Sequence, residues 1–276
     1  MNRRVPRWRR LAAMATLGAL AAARPAAADQ PLWELGLGLA TLRVPHYRGS
    51  EQSHQWLLPL PYVIYRGDIL RSDREGARAL LLDGERADFD LSLGAGPPAS
   101  SRDNRARAGM PDLAPTLEFG PKLNLHLGRG PGWRLDLRLP LRAAFTVRRP
   151  VQHIGWVANP VLNLDLKRDG WNIGLQGGPL YASRRNNAFT YDVDAAFATA
   201  SRSEFHSQGG YAGWGLTASL ARRAGDWWLG GFVRADSVAG ARFAASPLVT
   251  QRQTLSIGLG ASWIFRVSDE RVGDTR

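Results

Sequence analysis

The sequence predicts an all-β protein, specifically a transmembrane antiparallel up-and-down β-barrel. Three observations carry that prediction: long runs of period-two alternation, aromatic residues recurring at the ends of those runs, and an amino-terminal export signal. No run approaches the roughly 20 apolar residues of a spanning helix, and mean hydropathy is −0.26. The chain has 276 residues, 44% apolar and 22% charged, which is too apolar for a disordered polymer. It has no Cys, so disulfide frameworks and thiolate metal sites are excluded.

The signal comes first along the chain. Residues 1–10 are cationic, Leu11–Ala23 is an apolar run of Ala, Leu, Met, Gly and Thr, and Ala26–Ala28 is a small-residue site before Asp29. A run of that length spans about 20 Å as a helix, short of the ~30 Å hydrocarbon core. Cleavage after Ala28 is expected, with residues 29–266 forming the barrel and 267–276 a short polar tail. The formal charge of +12 is inflated by six Arg in this segment; without them 30 basic residues face 24 acidic ones. The remaining Arg are scattered, which argues against a nucleic-acid surface.

The alternation is clearest in Trp133–Leu141, Leu255–Phe265, Leu117–Leu127, Phe89–Ala95 and Trp171–Leu175, each with one apolar face and one polar or glycine face. Runs of 10–14 residues exceed the usual soluble strand. Trp33, Trp56, Tyr62, Trp133, Trp156, Trp171, Tyr181, Trp228 and Trp263 read as interfacial girdles. Twelve strands are predicted: 33–43, 54–66, 69–82, 87–96, 115–128, 133–147, 154–168, 171–182, 189–197, 211–223, 226–238 and 253–265. This count puts the turns at 128–132 and 167–170 on one side and the turn at 222–226 on the other, although short turns should share the periplasmic side. Ten strands with a long loop at 183–210 is the alternative. Stretches 44–53, 97–114 and 239–252 read as loops.

The inward face is predicted to hold Lys122, Arg134, Arg138, Arg142, Lys167 and Arg234 against Glu34, Asp88, Asp90, Glu118, Asp136, Asp165 and Asp236. Charges in a narrow lumen are costly unless paired, so cross-strand ion pairs and a constricted interior are expected. An ion-selective pore would more naturally carry a ring of one sign. No enzyme site emerges. His46, His54, His126, His153 and His206 show no metal-ligand spacing, the Gly-x-Gly pairs at 213–215 and 258–260 sit in strands, and no nucleophile elbow occurs. No cofactor and no metal are expected.

The segment Pro45–Glu51 followed by Leu57–Asp68 resembles the MipA/OmpV family of outer-membrane proteins. The matching positions are Tyr47, Gly49 and Ser50, then Pro59, Pro61, Tyr62, Tyr65 and Arg66. Weaker matches lie at 117–121, 209–213 and 246–249, and in the last strand, where Trp263 and Phe265 stand for the terminal aromatic signal read by the barrel-assembly machinery. The resemblance implies a Gram-negative outer-membrane barrel, surrounded by lipid and lipopolysaccharide, that bridges a murein-hydrolysing lytic transglycosylase and a penicillin-binding synthase. A small diffusion channel is the alternative, with an adhesin or an outer-membrane hydrolase behind it. In the twelve-strand count, loop 97–114 lies on the periplasmic rim, and Arg102, Arg105 and Arg107 become the candidates for contact with such a partner.

Overall fold

The computed structural model describes residues 30–66, 70–73 and 76–272; the expected signal, residues 1–28, lies outside them. Alternating residues build the strands β1 (Gln30–Pro31), β2 (Trp33–Pro45), β3 (Ser53–Arg66), β4 (Leu70–Asp73), β5 (Gly76–Asp83), β6 (Ala87–Gly96), β7 (Thr116–Gly130), β8 (Trp133–Thr146), β9 (His153–Ala158), β10 (Val161–Arg168), β11 (Trp171–Ala182), β12 (Gly210–Ala224), β13 (Trp227–Ser237), β14 (Gln253–Val267) and β15 (Arg271–Val272). Among the described residues, thirteen of these form one sheet in the order β10-β11-β12-β13-β14-β2-β3-β4-β5-β6-β7-β8-β9. All of its pairings are antiparallel, and β8 also pairs β10, so the sheet returns on itself as a barrel.

β9 and β10 occupy one position in the ring. Both lie between β8 and β11, and together they fill the expected strand 154–168. The break falls at Asn159-Pro160, where the Asn159 amide donates to Pro179 O at 2.9 Å. Gly178 makes room for the break, because a Cβ there would lie 1.9 Å from Pro160 O.

Two expected strands are corrected. Residues 189–197 are not a strand. They fall on helix α1 (Arg184–Tyr191) and a 3-10 turn at Ala195–Phe197. Ser183 caps α1 by accepting from Asn186 N, and the apolar alternation of Tyr191 and Val193 serves a buried cluster rather than lipid. The described parts of 69–82 are two strands, β4 and β5, paired with each other. One strand is lost and one gained, so the ring keeps twelve positions but changes parity between them.

That parity settles the ends. The turns at 131–132, 169–170 and 225–226 all lie at one end, beside the pairing of β1 with β15. In outer-membrane barrels this is the periplasmic end, and the long loops 46–52, 97–115, 183–209 and 238–252 are then extracellular. Loop 97–114 therefore leaves the periplasmic rim on which the twelve-strand count placed it. The segment expected as a tail is tied down: Ser268 N donates to Trp33 O and Leu32 N to Glu270 O, both at 2.9 Å.

The outward face carries exposed Leu37, Leu39, Leu57, Phe119, Leu229 and Leu259, the band a hydrocarbon core requires. Trp133, Trp227, Trp263 and Phe265 stand outward at the periplasmic end. Trp56, Tyr62 and Trp228, expected in the girdles, instead share the inward parity of Glu34, Arg66 and Asp236, and Tyr62 meets Trp228 at 5.9 Å.

Candidate functional site: a capped, two-sided lumen

One wall of the lumen is charged, and it pairs as expected. Inward residues of β6, β7, β8 and β10 form a ladder. Lys122 Nζ lies 3.2 Å from Asp90, Arg142 Nε 3.0 Å from Glu118, and Arg134 Nε 3.0 Å from Asp136. His126 sits between Asp136 at 2.9 Å and Asp88 at 3.3 Å, and Arg138 reaches Asp165 at 3.4 Å. Asp90 and Asp136 are almost fully buried, and the cations facing them offset the cost of that burial. Arg234 grips Asp236 with two 2.7 Å bonds. Lys167 stands exposed at the periplasmic end of β10.

At that end Glu34 holds two cations, Arg66 at 2.6 Å and Arg223. Arg66 also donates to Pro31 O at 2.6 Å, so this residue ties β3 to the start of the chain.

The opposite wall, from β2, β3, β13 and β14, presents Leu42, Val44, Trp56, Leu58, Phe232 and small Gly and Ser residues to the interior. Leu58 is inward by parity and still 42% exposed. The sequence listed the charged residues of the lumen but missed this apolar half. Of its aromatic residues, Trp56 reads in the sequence as a girdle residue.

A cap closes the extracellular end. The apolar core of the molecule lies here, between the loops, and includes Tyr47, Tyr191, Val193, Phe243 and Leu248. Tyr191 stacks on Phe243 with centroids 3.6 Å apart, and Tyr47 meets Tyr191 edge-on at 6.0 Å. Tyr47 Oη donates to Leu248 O at 2.9 Å, Tyr191 Oη to Arg48 O at 2.8 Å, and Ser246 Oγ to Tyr191 O at 2.7 Å. Arg48 ties the cap to the wall through Asp236 at 3.3 Å and Ala212 O at 2.6 Å. Gly49, at φ +90°, turns the loop so that its carbonyl accepts from Thr250 N. Asn104 donates to Ser50 Oγ at 3.1 Å and contacts His46 Nδ1 at 3.1 Å. Tyr47, Gly49 and Ser50 are thus cap-building residues.

The three candidate arginines divide. Arg107 is buried and donates to Thr190 O at 2.8 Å and Pro111 O at 3.1 Å, so it straps the cap together and cannot meet a partner. Arg105 is exposed and pairs with Glu51 at 2.6 Å; Arg102 is exposed on the same loop. Burial lowers Arg107 from its ordinary value and raises Tyr47 to about 12, which keeps the phenol a donor.

His46 is expected to make the cap sensitive to acid. It sits beyond the spanning strands, stacked on His54 at 4.0 Å. Burial, then the neighbouring His54, lower it from 6.5, with Asp103 opposing. A depressed histidine contributes stability that is complete above about pH 6.5 and is lost as pH falls toward its folded value. Moving from about pH 7.5 to about pH 5 is expected to raise protease cleavage in loop 97–115, and His46→Gln should flatten that dependence. Equal pH dependence in both proteins would refute the assignment.

Paired charges within, an apolar band without, short turns at one end and long loops at the other define an outer-membrane β-barrel. The family model described as MltA-interacting protein MipA matches residues 37–265, and the chain belongs to that family. No match to a curated protein is found. Among solved structures, the chain is similar to the CymD monoaromatic hydrocarbon channel, with 11% identity over 86% of this chain and 89% of that one and a TM-score of 0.39. It is also similar to outer membrane phospholipase A from Escherichia coli, with 12% identity over 84% and 93% and a TM-score of 0.34. A third is the Pseudomonas putida toluene transporter TodX, with 10% identity over 84% and 89% and a TM-score of 0.35.

Proposed function

We propose that the barrel is a non-enzymatic docking scaffold for peptidoglycan-remodelling enzymes, a lytic transglycosylase and a penicillin-binding synthase. The observation that carries this reading is the match to the MltA-interacting protein family over residues 37–265. The charged wall supports it, because mutually paired charges under a cap suit a rigid platform better than an ion conduit.

A murein enzyme works in the periplasm, so its docking surface belongs to the short-turn end rather than to loop 97–114. Exposed Arg129, Arg168 and Arg222 stand at that end, with Arg222 lying 5.2 Å over the Trp171 ring. Together they form a cationic rim that would meet an acidic partner face.

Capture from envelope extract with mild crosslinking tests the reading. Wild-type protein is expected to retain a lytic transglycosylase or synthase. Replacing all three arginines by Glu should cut capture at least about tenfold, with the loss shrinking as salt rises. Arg102→Glu with Arg105→Glu, at the other end, should leave capture unchanged. No retained murein enzyme, together with stable single-channel currents, would favour the diffusion-channel alternative.

A further inference from the structure

Beside the apolar wall of the lumen, the described residues leave part of the barrel's strand pairing open. Arg66 N donates to Leu32 O at 2.8 Å, toward the β2 flank. Amide directions alternate along a strand, so the odd residues of β3 aim theirs at the other flank. Tyr65 and Arg66 find β4 there, opposite Ser72 and Arg71. Above them, among the described residues, no strand pairs with Ser53–Pro61 on that flank. Pro59 and Pro61 have no N–H to offer to it, and proline within a sheet is confined to such edges. β6 repeats the pattern. β5 accompanies it only up to Asp90, and Leu91–Gly96 are paired, among the described residues, with β7 alone.

A pocket of about 390 Å³ lies where these two edges face each other, lined by Leu42, Val44, Trp56, Gly96, Pro97 and Phe232. Trp56 is held in place by stacking on His54 at 4.9 Å. The polar groups at the pocket are Ser256 and Arg234, and the guanidinium is already neutralised by Asp236. A charged ligand would therefore find no free counter-ion among these residues, whereas a flat apolar ring would find an indole, a phenyl ring and aliphatic walls.

We infer that this pocket binds a small neutral apolar molecule, of one or two rings with at most one hydroxyl, and that the ligand enters sideways from the outer leaflet between β3 and β6. The cap covers the axial route, and the lips of the gap are outward, lipid-facing residues such as Leu57, Leu93 and Ala95. The inference does not depend on the scaffold reading. The two concern opposite ends of the barrel.

The test uses the full mature barrel in lipid nanodiscs with 2-fluoronaphthalene as probe, followed by fluorine NMR. A bound resonance distinct from lipid-dissolved probe is expected. Ser256→Trp and Leu42→Trp, which each fill the pocket, should abolish it while heat-modifiable gel mobility shows the barrel intact; two variants guard against one failing to fold. Absence of a bound resonance, or its survival in both filled variants, overturns the site. Ala95→Trp at the lip should slow exchange at least about tenfold, while loosening the cap with Phe243→Ala should leave exchange unchanged. Faster exchange in Phe243→Ala with no effect of Ala95→Trp would overturn the lateral route.

Discussion

Phe243→Ala is expected to release the extracellular cap while the barrel stays folded. Phe243 is 1% exposed and lies flat against Tyr191, which in turn meets Tyr47 edge-on. Removing a buried phenyl ring of this kind costs about 3–5 kcal/mol, because the lost contacts are not refilled. The loops that share this core are also tied by Arg48, Arg107 and the tyrosine hydroxyls, but Phe243 packs against loop residues rather than the barrel wall, so the loss falls on local opening. An increase of about 100-fold or more in the open population follows from that energy. Trypsin provides the readout, through exposed Arg184 and Arg185 on α1. Cleavage there should accelerate strongly at neutral pH with unchanged heat-modifiable mobility. Wild-type cleavage rates would mean that the cap does not rest on this stack.

The second large effect lies within the charged wall. Asp136 is 2% exposed and serves three cationic or polarisable neighbours: His126 at 2.9 Å, Arg134 at 3.0 Å and Arg138 at 3.7 Å. Asp136→Ala removes their shared acceptor and leaves positive charge in a confined interior. Breaking a buried pair from one side costs about 3–5 kcal/mol, far more than the pair contributes against a well-packed apolar replacement. Denaturant unfolding in detergent should show that loss. Adding Arg134→Ala should restore part of it, since Arg134 and Arg138 would otherwise both crowd onto Asp165, and a double-mutant cycle measures the coupling. A loss below about 0.5 kcal/mol for Asp136→Ala would show that water reaches this wall and screens it.

Where the sequence reading failed, it failed at points where one local pattern has two physical causes. Tyr191 and Val193 alternate because the cap buries them, not because a strand faces lipid. Trp56, Tyr62 and Trp228 look like girdle residues, since an aromatic residue near a strand end carries no mark of the face it is on. The turn at 222–226 conflicts with its counterparts only if 189–197 is a strand, and it is not one. Arg107 looked like any loop arginine, and nothing local shows that it would be strapped to Thr190 O, 83 positions away.

Period-two alternation is a property of neighbouring residues. The inward and outward faces of β2, β7, β8 and β14, the paired character of the charged wall and the apolar outer band could therefore be read directly from the chain, along with most strand limits. Tyr47, Gly49, Ser50, Pro59 and Pro61 could be recognised there too, but not explained. Their roles come from contacts between distant segments: Tyr47 with Leu248 O across 201 positions, and Pro59 and Pro61 on a flank of β3 where, among the described residues, no strand pairs. The cap, the parity of the loops and the gap beside β3 were decided by the tertiary structure, because each depends on which distant segments close on one another, and a local repeat of hydrophobicity carries no record of that.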